Sequence, residues 1–410
     1  MSKPWLENKK WSSPTIYSGA KTSMIVLWLF TLVFGGLSSV VLVAGYAEML
    51  RDFQRGEHLV ALVLLFPFIS LVMLNLSVRM TRDWLRYGKT PLQMDPYPGA
   101  IGGEAGGYVD LNLAFHSRNQ FEVKLALYRL TVSNSGKETR TDEKIIWQCD
   151  VPVHMESVGD GTRIRFLTEV PAGKRESENS SRDYHLWRFI VNGVNKSLRF
   201  NRIWEVPMFA VQHCDHSGKA SMSLPAMAQA KLEQRQLNEL AQITEITQQG
   251  DNIWMRFSPK NTRSISAMMF VFGAIFFSIG VGMTMVDQAM SWLFVIAFGG
   301  IGGVILLAGI YGLGKELRVC VNPTEVQTKR FWFGLALVNK SYTRDTIKSM
   351  YIESSMSMNS SKGSIQYYKL KLKFKDGSNK PIAFGIDGYS KAHKLGEKLS
   401  VLTGIDYTGD

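Results

Sequence analysis
The chain has 410 residues, 45% of them hydrophobic and 20% charged, with a formal net charge of +12. That length has room for two or three domains, and the gathering of the apolar residues into four runs excludes an ordinary soluble globule. The basic excess is greatest in 315–410, where 16 bases face 9 acids; no basic stripe interleaved with aromatics accompanies it, so anionic lipid headgroups fit better than nucleic acid.

In chain order, 1–22 reads as a polar N-terminal tail. The apolar runs 23–47 and 59–78 then predict a first transmembrane hairpin (23–80), and the runs 265–286 and 292–313 a second (264–314). Each run lacks charge and is long enough to cross a hydrocarbon core of ~30 Å as a helix, the one open form that satisfies its own backbone in lipid. Gly45-Tyr46-Ala47 loosely resembles a cleavage site, but the first run far exceeds a signal core of about 7–15 residues. Lys3, Lys9, Lys10 and Lys21 precede the first run, and "RMTRDWLRYGK", with Arg79, Arg82, Arg86 and Lys89, follows the second. Arg256, Lys260 and Arg263 precede the third, and Lys315 and Arg318 follow the fourth. The short connections "RDFQRGEH" and "DQAMS" carry no basic excess. Basic flanks stay in the cytoplasm, which puts both termini and both large polar segments inside. Small residues mark the runs: Gly35, Gly36, Ser38 and Ser39, then Gly273, Gly280 and Gly282, then Gly299, Gly300, Gly302 and Gly303. The GxxxG spacing of Gly299 and Gly303 fits close helix packing, within one bundle or between copies. Pro67 and Asn75 are the candidates for a kink and a buried polar contact in the second run.

The segment 81–263 begins with "PYPGAIGGEAGG", read as a connector, and continues in short alternating runs such as "FEVKLALYRLTV", "TRIRFLTEV" and "YHLWRFIVNGV". These predict an all-β sandwich, with "SNSGKETRTD" as an exposed loop. His185 and Trp187 share a strand face and read as structural. "HCDH", 213–216, has metal-compatible side chains, but adjacent residues rarely converge on one ion and no second ligand pair supports it. A short helix, "AMAQAKLEQRQLNEL", and a β-hairpin, "ITEITQQGDNIWMRF", complete the segment. Several strands and a terminal helix in 315–410 then resemble a small pleckstrin-homology-like barrel. In it Lys369, Lys371, Lys373 and Lys375 alternate along one strand, so they share a face. With Lys380 they form a candidate contact for anionic lipid or an acidic partner.

Cys149, Cys214 and Cys320 are far apart, with no CxxC pair, which speaks against a disulfide framework or a zinc ribbon. No nucleophile elbow, zinc-protease helix or P-loop is present, and "GGEAGG" is too short for a dinucleotide fingerprint. Charge-free runs disfavour a pump. "LQMDPYPGAIGGEAGG", "YHLWRFIV", "RIWEVPMF" and "GKELRV" together resemble a family of uncharacterised bacterial inner-membrane proteins, classed by a domain of unknown function. The resemblance covers nearly the whole chain. It implies this architecture and a bacterial inner membrane, and brings no catalytic or binding residue. The expectation is a membrane α+β protein with no enzymatic activity and no cofactor. It would act as a scaffold through lipid headgroups and a protein partner or self-association. An oligomeric channel component is the alternative.

Overall fold
The computed structural model describes residues 3–55, 64–135, 138–195, 198–211, 226–250, 252–257, 263–284, 292, 295–360 and 363–408. The chain is α+β and divides into two compact units, Met1–Leu232 with Ser360–Gly363, and Glu233–Asn359 with Ser364–Asp410.

Among the described residues the first unit holds the helices α1 (Ala20–Gln54) and α2 (Leu65–Tyr87) and eleven strands. The strands are β1 (Thr15–Ile16), β2 (Leu92–Met94), β3 (Gly99–Ala100), β4 (Glu104–Leu111), β5 (Phe121–Ser135), β6 (Glu138–Val151), β7 (Val153–Val158), β8 (Gly161–Glu169), β9 (Asp183–Gly193), β10 (Asn201–Val206) and β11 (Met208–Phe209). One sheet runs β1-β2-β4-β8-β7, the other β10-β9-β5-β6, and β3 pairs with β11. Alternation along β8 and β10 buries every second residue, and the inward sets meet in one core around Trp187, Trp204, Phe166 and Phe189.

Three sequence expectations change here. The N-terminal segment is no free tail: Trp5 and Trp11 are buried in the sandwich core, and Thr15–Ile16 pairs with Leu92 and Gln93. Their indoles bury more apolar surface than a polar tail would expose. The connector is also folded in. Gly106 and Gly107 sit where any Cβ would strike the backbone at Phe166 and Gln93, so strands β2, β4 and β8 approach closely only because these residues are glycine. The loop "SNSGKETRTD" is mostly strand, with Ser133 opposite Arg140 and Ser135 opposite Glu138.

The second unit holds most of α3 (Ala226–Ile243), then β12 (Thr244–Gln249), β13 (Asn252–Phe257), α4 (Arg263–Met283) and α5 (Ile301–Gly314). A wider helical turn, Val295–Gly300, leads directly into α5. There follow β14 (Lys315–Val321), β15 (Glu325–Trp332), β16 (Leu335–Thr343), β17 (Ile347–Ser360), β18 (Gly363–Phe374), β19 (Asn379–Asp387), α6 (Tyr389–Thr403) and β20 (Tyr407–Thr408). The sheets are β12-β13-β14-β15-β16 and β19-β18-β17-β20. They share a core closed by Ala392, Leu395 and Leu399, one stripe of α6. The hairpin β12–β13, read from the sequence as a juxtamembrane hairpin of the 81–263 segment, supplies the first two strands of this sheet, with Phe257 opposite Leu317. The second helical hairpin is therefore an insertion between two adjacent strands of one β-domain.

Among the described residues three helical stretches are long and apolar enough to cross a membrane, Ala20–Arg51, Arg263–Met283 and Val295–Gly314, where the sequence predicted four. The difference lies in α2. Its apolar described portion, 65–78, is ~21 Å long at 1.5 Å per residue, and the helix then continues through Arg79, Arg82, Asp83 and Arg86. The run's first residues, 59–63, lie outside the described residues.

Candidate membrane interface
Helices α1 and α2 are held together by hydroxyl contacts. Trp28 Nε1 donates to Thr81 Oγ1 at 2.9 Å, Thr31 and Ser77 hydroxyls meet at 2.8 Å, and Ser70 Oγ donates to Ser38 Oγ at 2.9 Å. Short hydroxyl side chains can also bond the preceding turn's carbonyl, as Thr31 does to Leu27, so they cost little where water is absent. The polar contact expected at Asn75 is not among these; Asn75 is exposed.

The basic cluster is helical. Arg79, Arg82 and Arg86 follow one another at three- and four-residue spacing, so they share a stripe, and all are exposed. Gly88, at φ 68°, ends the helix by donating its N–H to the Trp84 carbonyl. Lys89 follows it, exposed. Tyr87 docks this end on the sandwich, its ring 5.1 Å from Phe200. Beneath lies Arg202, 5% exposed, which donates to Thr90 Oγ1 and the Gly88 carbonyl and lies over the Trp84 and Phe200 rings. Burial pushes the Arg202 guanidinium below its ordinary value against the pull of Asp83. Burial raises the Asp83 carboxyl in turn, opposed by Arg199, Arg202 and Arg86. An open groove of about 560 Å³ adjoins this cluster, lined by Leu71, Leu74, Asn75, Val78, Arg79, Arg82 and Arg199. Sequence reasoning found the α2 arginines but missed Arg199, just before β10, and Arg202, on β10, which reach the site from a distant part of the sequence.

The second helical hairpin packs backbone to backbone. Gly273 lies against Leu306, Gly280 against Gly299, Gly302 against Phe276 and Phe277, and Gly309 against Phe270, each too close for a Cβ. The contact stripes are thus seven residues apart on each helix. Of the expected GxxxG pair, Gly299 opposes Gly280, while Gly303 has room for a Cβ beside the Phe277 ring.

At the foot of α5, Arg256 and Arg318 stand opposite each other on β13 and β14. Both donate to Glu316, at 2.9 and 2.6 Å. Burial opposes the charge, but these two guanidiniums hold the Glu316 carboxyl below its ordinary value. Lys315 lies 4.0 Å above the Phe384 ring. Burial lowers its ammonium, and Arg330 and Lys369 lower it further. The lysine comb is divided by its neighbours. Lys369, Lys371 and Lys373 alternate on β18 with buried Leu370, Leu372 and Phe374, and Lys375 continues beyond it. Lys369 adjoins Lys315, Lys371 is paired with Glu353 at 2.5 Å, and Lys373 and Lys375 are exposed. Lys375 lies ~20 Å along the strand from Lys369. Lys380 stands on β19 opposite Leu372, not opposite a lysine, so it leaves the comb's face.

The β15–β16 hairpin also reaches the end of α5. Its tip, Phe333 and Gly334, has φ of 45° and 84°, a two-residue turn requiring the left-handed region at both positions. Phe333 donates its N–H to the Gly314 carbonyl at 2.9 Å, which fixes the tip beside the end of α5. Phe333, Leu335 and Leu337 are more than half exposed. The far half of β16, Asn339–Ser341, is polar.

Elsewhere, His185 Nδ1 lies 3.1 Å from Glu178 Oε2, and Trp187 donates to the Arg175 carbonyl. Burial pushes the Cys149 thiol up to about 12, which keeps it protonated and unreactive at neutral pH. The "HCDH" segment lies outside the described residues.

No family model matches the chain, and no curated protein matches it. Among solved structures it matches that of Spo0M, a sporulation control protein from Bacillus subtilis, at a TM-score of 0.20 and 11% identity, over 63% of this chain and 90% of that one. At that score the likeness carries no argument.

Proposed function
We propose that the chain is an integral protein of a bacterial inner membrane, without enzymatic activity. In this reading it presents a β-sandwich and a pleckstrin-homology-like domain on the cytoplasmic face as an interaction scaffold, and belongs with the uncharacterised inner-membrane family that its motifs resemble. Its partners are anionic lipid headgroups and a protein, or a second copy of itself. Three spans are the apolar helices above; the fourth is the apolar part of α2, ending at Val78, with the apolar residues before it.

The observation that supports this best is the placement of the helical hairpins. Strands β1 and β2, antiparallel neighbours, lead into α1 and out of α2. Strands β13 and β14 do the same for α4 and α5. Paired strands lie about 4.8 Å apart, so both ends of each hairpin lie on one side of the bilayer and each hairpin crosses an even number of times. The link 211–226 contains no apolar run, so both β-domains share that side. The basic flanks make it the cytoplasm.

The test is a compartment-sensitive reporter inserted in turn at 115–118, at 376–378 and at 286–290. The expected pattern is inside, inside, outside. Opposite sides for the first two insertions, or one side for all three, would overturn the reading.

A further inference from the structure
The groove at the foot of α2 is graded. Six of its seven lining residues, Leu71, Leu74, Asn75, Val78, Arg79 and Arg82, come from α2. Their spacings of three, one, three, one and three place them on a single helical face. At 1.5 Å per residue that face rises ~16 Å, from an aliphatic stretch of Leu71, Leu74 and Val78, with the Asn75 amide among them, to two guanidiniums. Arg199 adds a third guanidinium from the sandwich. That order, aliphatic then cationic, matches a phospholipid from acyl chain to phosphate.

We propose that this groove binds one anionic phospholipid, with its phosphodiester between Arg79, Arg82 and Arg199 and its acyl chain along Leu71, Leu74 and Val78. The proposal rests on the membrane reading above. Among the described residues no carboxylate is ion-paired with Arg79, Arg82 or Arg199. Asp83, the acid that acts on Arg199, is shared with Arg202 and Arg86. Three guanidiniums lining one groove therefore hold a net positive field that an anion offsets, and their planar forks suit phosphate oxygens. Setting topology needs only bases near the end of the span. It does not require an arginine from a separate domain in the same groove. A free phosphate would use the arginines and leave the leucine stripe without a role.

The test uses the full chain in mild detergent. Native mass spectrometry reads the retention of phosphatidylglycerol and of phosphatidylcholine, each titrated alone and against glycerol phosphate. One saturable phosphatidylglycerol per chain is expected, with phosphatidylcholine retained at least tenfold less. Arg199→Gln, outside the helix and exposed, is expected to weaken retention about tenfold, the scale of one charged hydrogen bond. Arg140→Gln, exposed toward the far end of the β5–β6 pair, should leave it unchanged. Equal retention of the two lipids, or no loss with Arg199→Gln, would overturn the proposal. Displacement by glycerol phosphate at the concentration of the lipid would assign the groove to a soluble phosphate instead. Alkaline extraction of native membranes separates the two failures: a chain that leaves the bilayer refutes the membrane reading, and one that stays but shows no lipid preference refutes the site alone.

Discussion

Lys391 lies 2.8 Å from Asp387 and 2.5 Å from Glu239, with its side chain 6% exposed. Burial works against the ammonium, but the two carboxylates outweigh it and hold the group well above its ordinary value. A lysine whose folded value is raised contributes stability that is complete below the unfolded value of about 10.4 and fades as pH climbs through the folded one. The second unit is therefore expected to keep this contribution from neutral pH to about pH 10 and to lose it only beyond. Glu316 has the opposite sign: its depressed value contributes above its ordinary range near 4.3 and is lost as acid protonates it. Lys391→Met leaves two carboxylates facing each other in a buried site, a loss of about 3–5 kcal/mol. Thermal unfolding of the detergent-solubilised chain at pH 7 checks this, and an unchanged midpoint would contradict it. In the sequence Lys391 is one of several lysines on an amphipathic helix. Asp387 four residues earlier is legible, but Glu239 comes from α3, and nothing local marks it. The comb of Lys369 to Lys375 was legible as an alternating face. Its pairing with Glu353 was not, because that depends on which strand lies alongside.

At the scale of elements, composition located the helices and strands, while the faces they use came from packing. Small residues marked the second hairpin, yet which glycines face the partner depends on how the two helices rotate about their axes. Gly280 and Gly302 sit against backbone, whereas a Cβ on Gly300, Gly35 or Gly36 would meet nothing within 4 Å. Gly280→Ala is therefore expected to force α4 and α5 apart and cost about 1–3 kcal/mol, the usual penalty of overfilling a close contact. Gly300→Ala should stay within about 0.5 kcal/mol of the parent. Equal shifts in unfolding midpoint for the two variants would mean that the close face is misassigned. The β12–β13 hairpin shows the same limit from another side. Its turn and alternation were plain in "ITEITQQGDNIWMRF", but its partner strand β14 lies beyond two helices, and proximity along the chain grouped it with the preceding segment.

For the whole molecule, the N-terminal segment and the sandwich form one body although a long helical hairpin separates them in sequence. Trp11 is 3% exposed, with its indole N–H bonded to the Glu205 carbonyl at 3.1 Å. Trp11→Ala is expected to cost the sandwich about 3–5 kcal/mol, as for other large aromatic deletions from a core. Protease resistance of the β4–β11 region in the full chain measures this; cleavage at the parent's rate would show that the segment is dispensable. The sequence disclosed two polar blocks and two helical hairpins. It did not disclose that each hairpin interrupts a β-domain, because a strand as short as Thr15–Ile16 leaves no periodic signal. That interruption has a consequence for how the protein is made. In the proposed orientation β1 leaves the ribosome before α1 and must wait for α1 and α2 to enter the bilayer and return before β2 exists to receive it. Strands β12 and β13 wait in the same way for α4 and α5. If one helix fails to insert, the two halves of a sheet are stranded across the bilayer from each other, and an unpaired strand edge is left exposed. In that orientation each β-domain is expected to close only in chains whose own hairpin has entered the bilayer and returned.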